Sequence, residues 1–143
     1  MRHRSLRMDE NMHQIGEVAK EVGLSLRTIR HYEELGLVPP SGRTGGGFRL
    51  YTDDDIERLR LVKHMKPLEF SLEEMRDLLE ARDGLAAAVD DDTRGPLLQR
   101  VAMFAAAAEE RCDRLRERLR AAESMAATLR REASRRGMAR PRR

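Results

Sequence analysis

The chain has 143 residues and a net charge of +3, with 37% charged residues, only 3% aromatic residues and no tryptophan. So little aromatic side-chain volume excludes one large core and favours small helical units together with a long helix. No apolar run approaches the roughly 20 residues that span a bilayer, and Cys112, the only cysteine, cannot form an intrachain disulfide. We therefore expect a cytoplasmic protein without a membrane partner.

Charge is distributed unevenly along the chain. Residues 52–93 hold six basic against thirteen acidic residues, whereas residues 94–143 hold fourteen against six. The middle of the chain is therefore an unfavourable surface for nucleic acid, and the two ends are candidates. Residues 1–11 show no periodicity and are expected to form a disordered arm.

Two short helices joined by a tight turn are predicted over residues 15–36. An apolar stripe at i, i+3, i+4 and i+7 marks the first helix, and Gly23 ends it as a left-handed cap. Ser25 is placed to cap the second helix. The apolar residues of that second helix predicted to face inward are Leu26, Ile29 and Leu35. Those predicted on its outer face are Arg27, Thr28, Arg30 and His31. The pattern is typical of a helix-turn-helix.

A glycine-rich hairpin is predicted next, after Pro39-Pro40 stops the second helix. Its sequence is RTGGGFRLY, in which Arg43 and Arg49 flank three glycines that permit a tight tip. A basic hairpin directly after a helix-turn-helix indicates a wing that lies along DNA phosphates.

Two further helices begin at capping signals, Thr52 before three aspartates and Ser71 before Glu74. Pro67 is predicted to stop the first of them, whose Arg58 and Arg60 are assigned to a solvated face. The second is predicted to end at residues 82–84, where a linker over residues 83–95 begins. Three consecutive aspartates in that linker, residues 90–92, are interpreted as a turn and helix-start signal rather than a metal site, because their carboxylates point in different directions.

One long helix is predicted from Pro96 to residue 133, followed by a basic disordered tail over residues 134–143. Apolar residues recur in it at alternating spacings of four and three, which indicates a coiled-coil seam and hence a homodimer. Cys112 is interpreted as a small apolar residue of this seam, with a redox sensor as the alternative. The predicted dimerisation residues are Val101, Ala105, Ala108, Cys112, Leu115, Leu119, Ala122 and Leu129.

The run TIRHYEELGL, then PP, then R-T-x-x-G-x-R-x-Y, then a helix opening with T-D-D-D-I resembles the MerR family of bacterial transcription regulators. The resemblance covers residues 12–82, and the chain is similar to short members without a separate effector domain. It departs at His31, where the family more often has tyrosine, and at Pro67 and Glu69 before F-S.

This resemblance implies a mainly α fold, with a winged helix-turn-helix and a long C-terminal helix forming an antiparallel coiled-coil dimer. It also implies binding to double-stranded promoter DNA, distortion of the promoter spacer and RNA polymerase as a partner. The effector is left unassigned. The predicted DNA-binding residues are Arg27, Thr28, Arg30, His31, Tyr32, Arg43, Gly46, Arg49, Tyr51 and Lys63.

Two alternatives remain open beside this reading: an architectural or excisionase-like DNA binder, and a helical adaptor whose coiled coil is the function. No cofactor, metal site or catalytic residue is predicted, because the chain has no acid–base pair, nucleophile–base pair or metal-ligand constellation. We therefore do not expect an enzyme.

Overall fold

The computed structural model describes residues 11–138, and within this range every helix is too short or too polar to cross a membrane. The predicted arm of residues 1–11, apart from Asn11, and the last five residues of the predicted tail lie outside the described residues. The elements are β1 (Met12–Gln14), α1 (Ile15–Val22), α2 (Leu26–Glu34), β2 (Gly42–Arg43), β3 (Arg49–Thr52), α3 (Asp53–Met65), a 3-10 turn (Lys66–Leu68), α4 (Leu72–Ala87), α5 (Asp91–Ala133) and a π-helical turn (Ser134–Met138). Backbone contacts divide the chain into a unit that ends at Ala102 and a unit that begins at Met103.

The first unit begins with the predicted helix-turn-helix, which the structure confirms. Gly23 ends α1 with a φ of 71° and donates its backbone N–H to the carbonyl of Ala19 at 2.9 Å. Ser25 caps α2, its Oγ accepting from the backbone N–H of Thr28 at 3.0 Å. A three-residue turn therefore joins the two helices, whose apolar faces meet in the core through Val18, Val22 and Ile29.

The predicted wing is present as the antiparallel hairpin β2–β3, in which Arg43 lies opposite Arg49. Strand β1 was not predicted from the sequence; it pairs antiparallel with β3 and makes a three-stranded sheet of order β1-β3-β2. His13 of β1 also forms a hydrogen bond with Asp53 at the start of α3, with 2.8 Å between Nε2 of His13 and Oδ1 of Asp53. The wing is therefore anchored on both sides of its second strand.

Helices α3 and α4 begin where their caps predicted. Thr52 accepts from the N–H of Asp55 at 3.1 Å, and Ser71 accepts from the N–H of Glu74 at 3.1 Å. Each cap is a reciprocal capping box, because the third residue's carboxylate also accepts from the cap's own N–H. The buried residues that these two helices contribute to the core are Ile56, Leu59, Val62, Met65, Met75, Leu78, Leu79 and Ala81.

Arg58 was predicted on a solvated face, and this prediction is wrong. Its side chain is only 13% exposed and pairs with Asp54 at 2.9 Å, with Asp55 at 3.0 Å and with Asp83 of α4. Burial alone would lower the pKa of Arg58, but the hydrogen bond and charge of Asp83, with the other two carboxylates, raise it above its ordinary value. Asp55 also accepts from the Ser41 hydroxyl at 2.5 Å. This cluster therefore ties the start of the wing to α3 and α4.

The predicted linker over residues 83–95 is also wrong, because α4 continues to Ala87 and α5 begins at Asp91. Gly84 does not end α4; the position of its missing Cβ lies 3.1 Å from Leu97, so the glycine permits close packing of α5. The aspartates mark a helix start as predicted, since Asp90 accepts from the N–H of Thr93 at 2.7 Å. Pro96 lies within α5, where the carbonyl it leaves unpaired is on an exposed turn that water can reach.

The second unit consists of α5 from Met103 onward and the π-helical turn, where Gly137 has a φ of 124°. The whole of α5 has 43 residues, so it is about 65 Å long. Its predicted seam lies open in the single chain, with Leu119 57% exposed and Leu129 56% exposed, whereas Cys112 is half-buried. An open apolar face on a helix favours packing against another apolar surface.

Candidate nucleic-acid interface

The outer face of α2 carries a continuous polar stripe. Arg27, Arg30, His31 and Glu34 fall at i, i+3, i+4 and i+7, and all four are exposed. The guanidiniums of both arginines make no hydrogen bond or ion pair to any of residues 11–138, whereas His31 lies 3.7 Å from Glu34. The two arginines therefore have all of their N–H donors available for a ligand.

Two residues of α2 lie differently from the prediction. Tyr32 was expected on the DNA-facing side, but it is only 4% exposed, because its position three residues after the buried Ile29 puts it on the inner face. Burial also raises the pKa of its phenol. Leu26 was expected to be inward and is instead 40% exposed at the first helical residue. Tyr32 is therefore a core residue, and its predicted DNA contact is corrected.

Thr28 is half-buried, and most of its hydrogen-bonding groups are already used in the cap of α2. Its backbone N–H donates to Ser25, and its hydroxyl oxygen accepts from the Ser25 hydroxyl at 2.8 Å. Its own hydroxyl hydrogen is the one donor left to offer a ligand.

The wing tip presents backbone donors. Gly47 has a φ of 89° and donates to the carbonyl of Thr44, whose own N–H donates to the carbonyl of Phe48. The amides of Gly45 and Gly46 have no partner among residues 11–138 and are exposed. Phe48 beside them is 64% exposed, a feature the sequence analysis did not single out. The tip can therefore donate backbone N–H groups to an anion such as phosphate.

The two wing arginines converge on one carboxylate of α2, that of Glu33. Arg49 Nε donates to Oε1 at 2.5 Å, and Arg43 Nη2 donates to Oε2 at 3.2 Å. The hydrogen bond to Glu33 raises the pKa of Arg49 above its ordinary value. No sequence signal indicated this contact, because Glu33 lies 10 and 16 residues before its partners. The wing is therefore joined to the helix that carries the exposed arginine stripe.

Tyr51, predicted to hold phosphate, is fully buried under the wing, so that prediction is corrected too. Tyr51 shares one face of β3 with Arg49, two residues before it, but burial increases along the strand from half-buried Arg49 at the wing to buried Tyr51 and Thr52 at the start of α3. Burial, together with the negative charge of Glu33, raises the pKa of Tyr51 to about 12, so its phenol stays neutral. Its hydroxyl has no hydrogen-bond partner among residues 11–138.

Lys63 was predicted to reach a phosphate, but the structure gives its ammonium another role. Nζ donates to the carbonyl of Val22 at 2.7 Å, which satisfies a free carbonyl at the C-terminus of α1. The cation also lies at the negative end of that helix dipole. Lys63 therefore fastens α3 to the helix-turn-helix from within the unit.

Comparison with known proteins agrees with this arrangement. A family model described as MerR HTH family regulatory protein matches residues 14–82, and one described as MerR, DNA binding matches residues 56–131, more than half of the chain. The chain belongs to the MerR family. The sequence resemblance is thus confirmed, and the winged helix-turn-helix described above is the domain that the first family model covers.

Individual MerR relatives show how far the similarity extends. The chain is 46% identical over 71 residues to the transcriptional regulator ZntR of Escherichia coli, covering 50% of each chain. It is 39% identical over 95 residues to the transcriptional regulator YfmP of Bacillus subtilis, covering 61% of this chain and 68% of that protein. The chain thus spans about half the length of ZntR.

Solved structures of the MerR family share the fold. The crystal structure of HiNmlR, a MerR family regulator lacking the sensor domain and bound to promoter DNA, superposes with a TM-score of 0.64 at 23% identity. The superposition covers 87% of this chain and 94% of HiNmlR. At that identity the likeness concerns the arrangement of helices and wing.

Proposed function

We propose that this MerR-family chain is a homodimeric transcription regulator that binds double-stranded promoter DNA in a sequence-specific manner. The observation that carries the proposal is the set of arginines that the first unit carries on α2 and on the wing. It consists of Arg27 and Arg30 on α2, whose guanidiniums have no partner among residues 11–138, and of Arg43 and Arg49 of the wing, held beside α2 at Glu33. A helix entering the major groove with a basic hairpin at its side is the docking mode of helix-turn-helix proteins.

The residues of this surface have different roles in the proposal. Arg27, Arg30 and His31 contact the floor and edges of the major groove, where a guanidinium can bind guanine O6 and N7 at two points. The wing arginines and the free amides of Gly45 and Gly46 bind phosphate oxygens, which sets the register of α2 on the duplex. Thr28 supports α2 through its cap and contributes at most one hydroxyl donor.

Dimerisation through α5 is the second part of the proposal. The seam residues from Leu115 onward are exposed along one face of α5, and an antiparallel partner helix would cover them. Cys112 lies at the middle residue of the 43-residue helix, so two copies paired with full overlap would bring their Cys112 residues together. The redox-sensor alternative for Cys112 stays a prediction.

Promoter distortion is the third part. Two α2 helices held by one rigid dimer fit two major grooves only if the intervening DNA adopts the matching twist and bend. Such a distortion brings the two promoter elements into a geometry that RNA polymerase engages. The chain would act in the cytoplasm without a cofactor, and as a regulator rather than an enzyme, as its named relatives are.

Replacing Arg30 with alanine tests the base-reading role. The variant should lose about 1–3 kcal/mol of operator affinity, and the loss should depend on the base pair at one position of each half-site. Fluorescence anisotropy with the operator and its single-base variants measures both effects. Arg114→Ala, which removes an exposed arginine of α5, is the matched control and should bind normally. An Arg30→Ala variant with wild-type affinity and specificity would remove Arg30 from the readout.

A further inference from the structure

We propose that Glu33 is a positioning residue for the wing, which holds Arg43 and Arg49 beside α2 so that they meet the DNA backbone as one preformed unit. This inference rests on the proposed DNA-binding function. It adds to the proposed interface an acidic residue, although the residues that contact DNA phosphates are basic.

The geometry of the contact divides the carboxylate between the two arginines. One oxygen of Glu33 accepts from Arg49 Nε and the other from Arg43 Nη2. The Glu33 side chain is 22% exposed, so the contact is partly sheltered from water. Arg43 is fixed a second time, because its Nη1 donates to the carbonyl of Gly47 at 2.9 Å and so closes the wing tip.

The contact leaves donors free for a second acceptor. A guanidinium carries five N–H donors, and Glu33 takes only the Nε–H of Arg49. The two terminal amino groups of Arg49 have no partner among residues 11–138. Arg49 can therefore keep its contact to Glu33 while its terminal groups bind a phosphate in two-point fashion.

Strand register explains why a carboxylate is needed here. Arg43 and Arg49 are directly opposite each other in the β2–β3 hairpin, and like charges in opposite positions destabilise a strand pair. Glu33 lies between the two cations and offsets their repulsion. It also fixes two long side chains before DNA arrives, which reduces the conformational entropy lost on binding.

Two possible effects of Glu33, repulsion of DNA phosphates and positioning of the wing arginines, predict opposite changes in DNA affinity when Glu33 is removed. A carboxylate at a phosphate-binding surface repels the phosphates, so if charge were its only effect, removing Glu33 would tighten DNA binding. If Glu33 positions the arginines, removing it weakens the specific complex although the protein becomes more positive. The sign of the change therefore decides between them.

The chain offers a matched control in Glu34, the next residue of α2. Glu33→Gln and Glu34→Gln each remove one negative charge from the same helix, but within residues 11–138 Glu34 forms an ion pair with His31 alone, at 3.7 Å, and its side chain is 76% exposed. We expect Glu34→Gln to bind the operator as tightly as wild type or more tightly. We expect Glu33→Gln to bind roughly tenfold more weakly.

The salt dependence of operator affinity distinguishes a lost DNA contact from a loss of protein stability, because only a lost contact changes its slope. Each phosphate contact contributes about 0.9 to the slope of log affinity against log salt concentration. The slope for Glu33→Gln should become shallower by the amount that corresponds to the loss of about one to two phosphate contacts. The slope for Glu34→Gln should equal the wild-type slope. In an Arg43→Ala/Arg49→Ala background, Glu33→Gln should no longer weaken binding. Equal affinities and slopes for the two glutamine variants, with wild type binding the operator, would overturn the inference.

Limited proteolysis tests the contact without DNA. Trypsin cleaves after arginine, and a wing held at Glu33 should resist cleavage after Arg43 and Arg49. Glu33→Gln should be cleaved faster at these two bonds than Glu34→Gln, with both variants folded as judged by their melting temperatures. Equal cleavage rates would overturn the positioning role even if wild type binds DNA. If wild type binds no duplex, the proposed function fails, and the DNA role of Glu33 fails with it.

Discussion

Leu119→Asp is expected to convert the proposed dimer to a monomer and to abolish operator binding at the same time. Leu119 is 57% exposed in the single chain and lies in the middle of the apolar face of α5. An antiparallel partner would bury the new carboxylate without a counter-charge, which costs several kcal/mol per ion. A monomer then offers one α2 instead of two, and the gain from binding both half-sites of one duplex is lost. Sedimentation and operator binding measure the two losses.

The control for this variant is Ala121→Asp, which introduces the same charge two residues further along α5 at an exposed position outside the predicted seam. It should remain dimeric and bind the operator. A dimeric Leu119→Asp protein would show that the seam is assigned to the wrong face of the helix.

Arg58→Ala is expected to destabilise the first unit by about 3–5 kcal/mol, because it leaves the buried carboxylate of Asp55 without its cation. Asp55 is 3% exposed, and Arg58 is the cation that it shares with Asp54 and Asp83. Since whole domains are stable by only about 5–15 kcal/mol, such a loss is a large fraction of the total. Urea unfolding followed by circular dichroism measures it through the midpoint.

The control is Arg60→Ala, which removes another arginine of α3 whose ion pairs with Glu21 and Glu57 are solvent-exposed. Its unfolding midpoint should stay close to that of wild type, because surface ion pairs contribute little. An Arg58→Ala midpoint as high as that of Arg60→Ala would mean that the aspartate cluster does not stabilise the fold.

Local signals predicted most of the helical framework. Ser25, Thr52 and Ser71 each start a helix where their hydroxyls can accept from amides of the first turn, and Gly23 ends one. These signals work because capping involves residues within three or four positions of each other. The hairpin was predicted for the same reason.

Long-range pairing was not predictable from the same signals. The strand β1 depends on a partner some forty residues away, and Arg58 is buried because Asp83 comes from a different helix. Gly84 was misread as a helix end, since a sequence does not show that Leu97 fills the space beside it. Each of these errors concerns a contact between elements.

The candidate interface was predicted in part. The exposure of Arg27 and Arg30 follows from helical periodicity, but the burial of Tyr32 and Tyr51 does not follow from their polar hydroxyls. Aromatic side chains are mostly apolar area, so a small first unit uses them for its core. Glu33 was passed over because an acidic residue is not an expected part of a DNA-binding surface.

Nuclease footprinting of promoter fragments with the purified chain shows whether a dimer binds two successive major grooves. We expect one protected pseudo-palindrome, with two half-sites separated by one helical turn, about 34 Å, or a multiple of it. We also expect enhanced cleavage between them where the DNA is distorted. No protection of any promoter fragment at moderate salt, or protection of isolated half-sites by a monomer, would show that the chain does not bind promoters as a dimer.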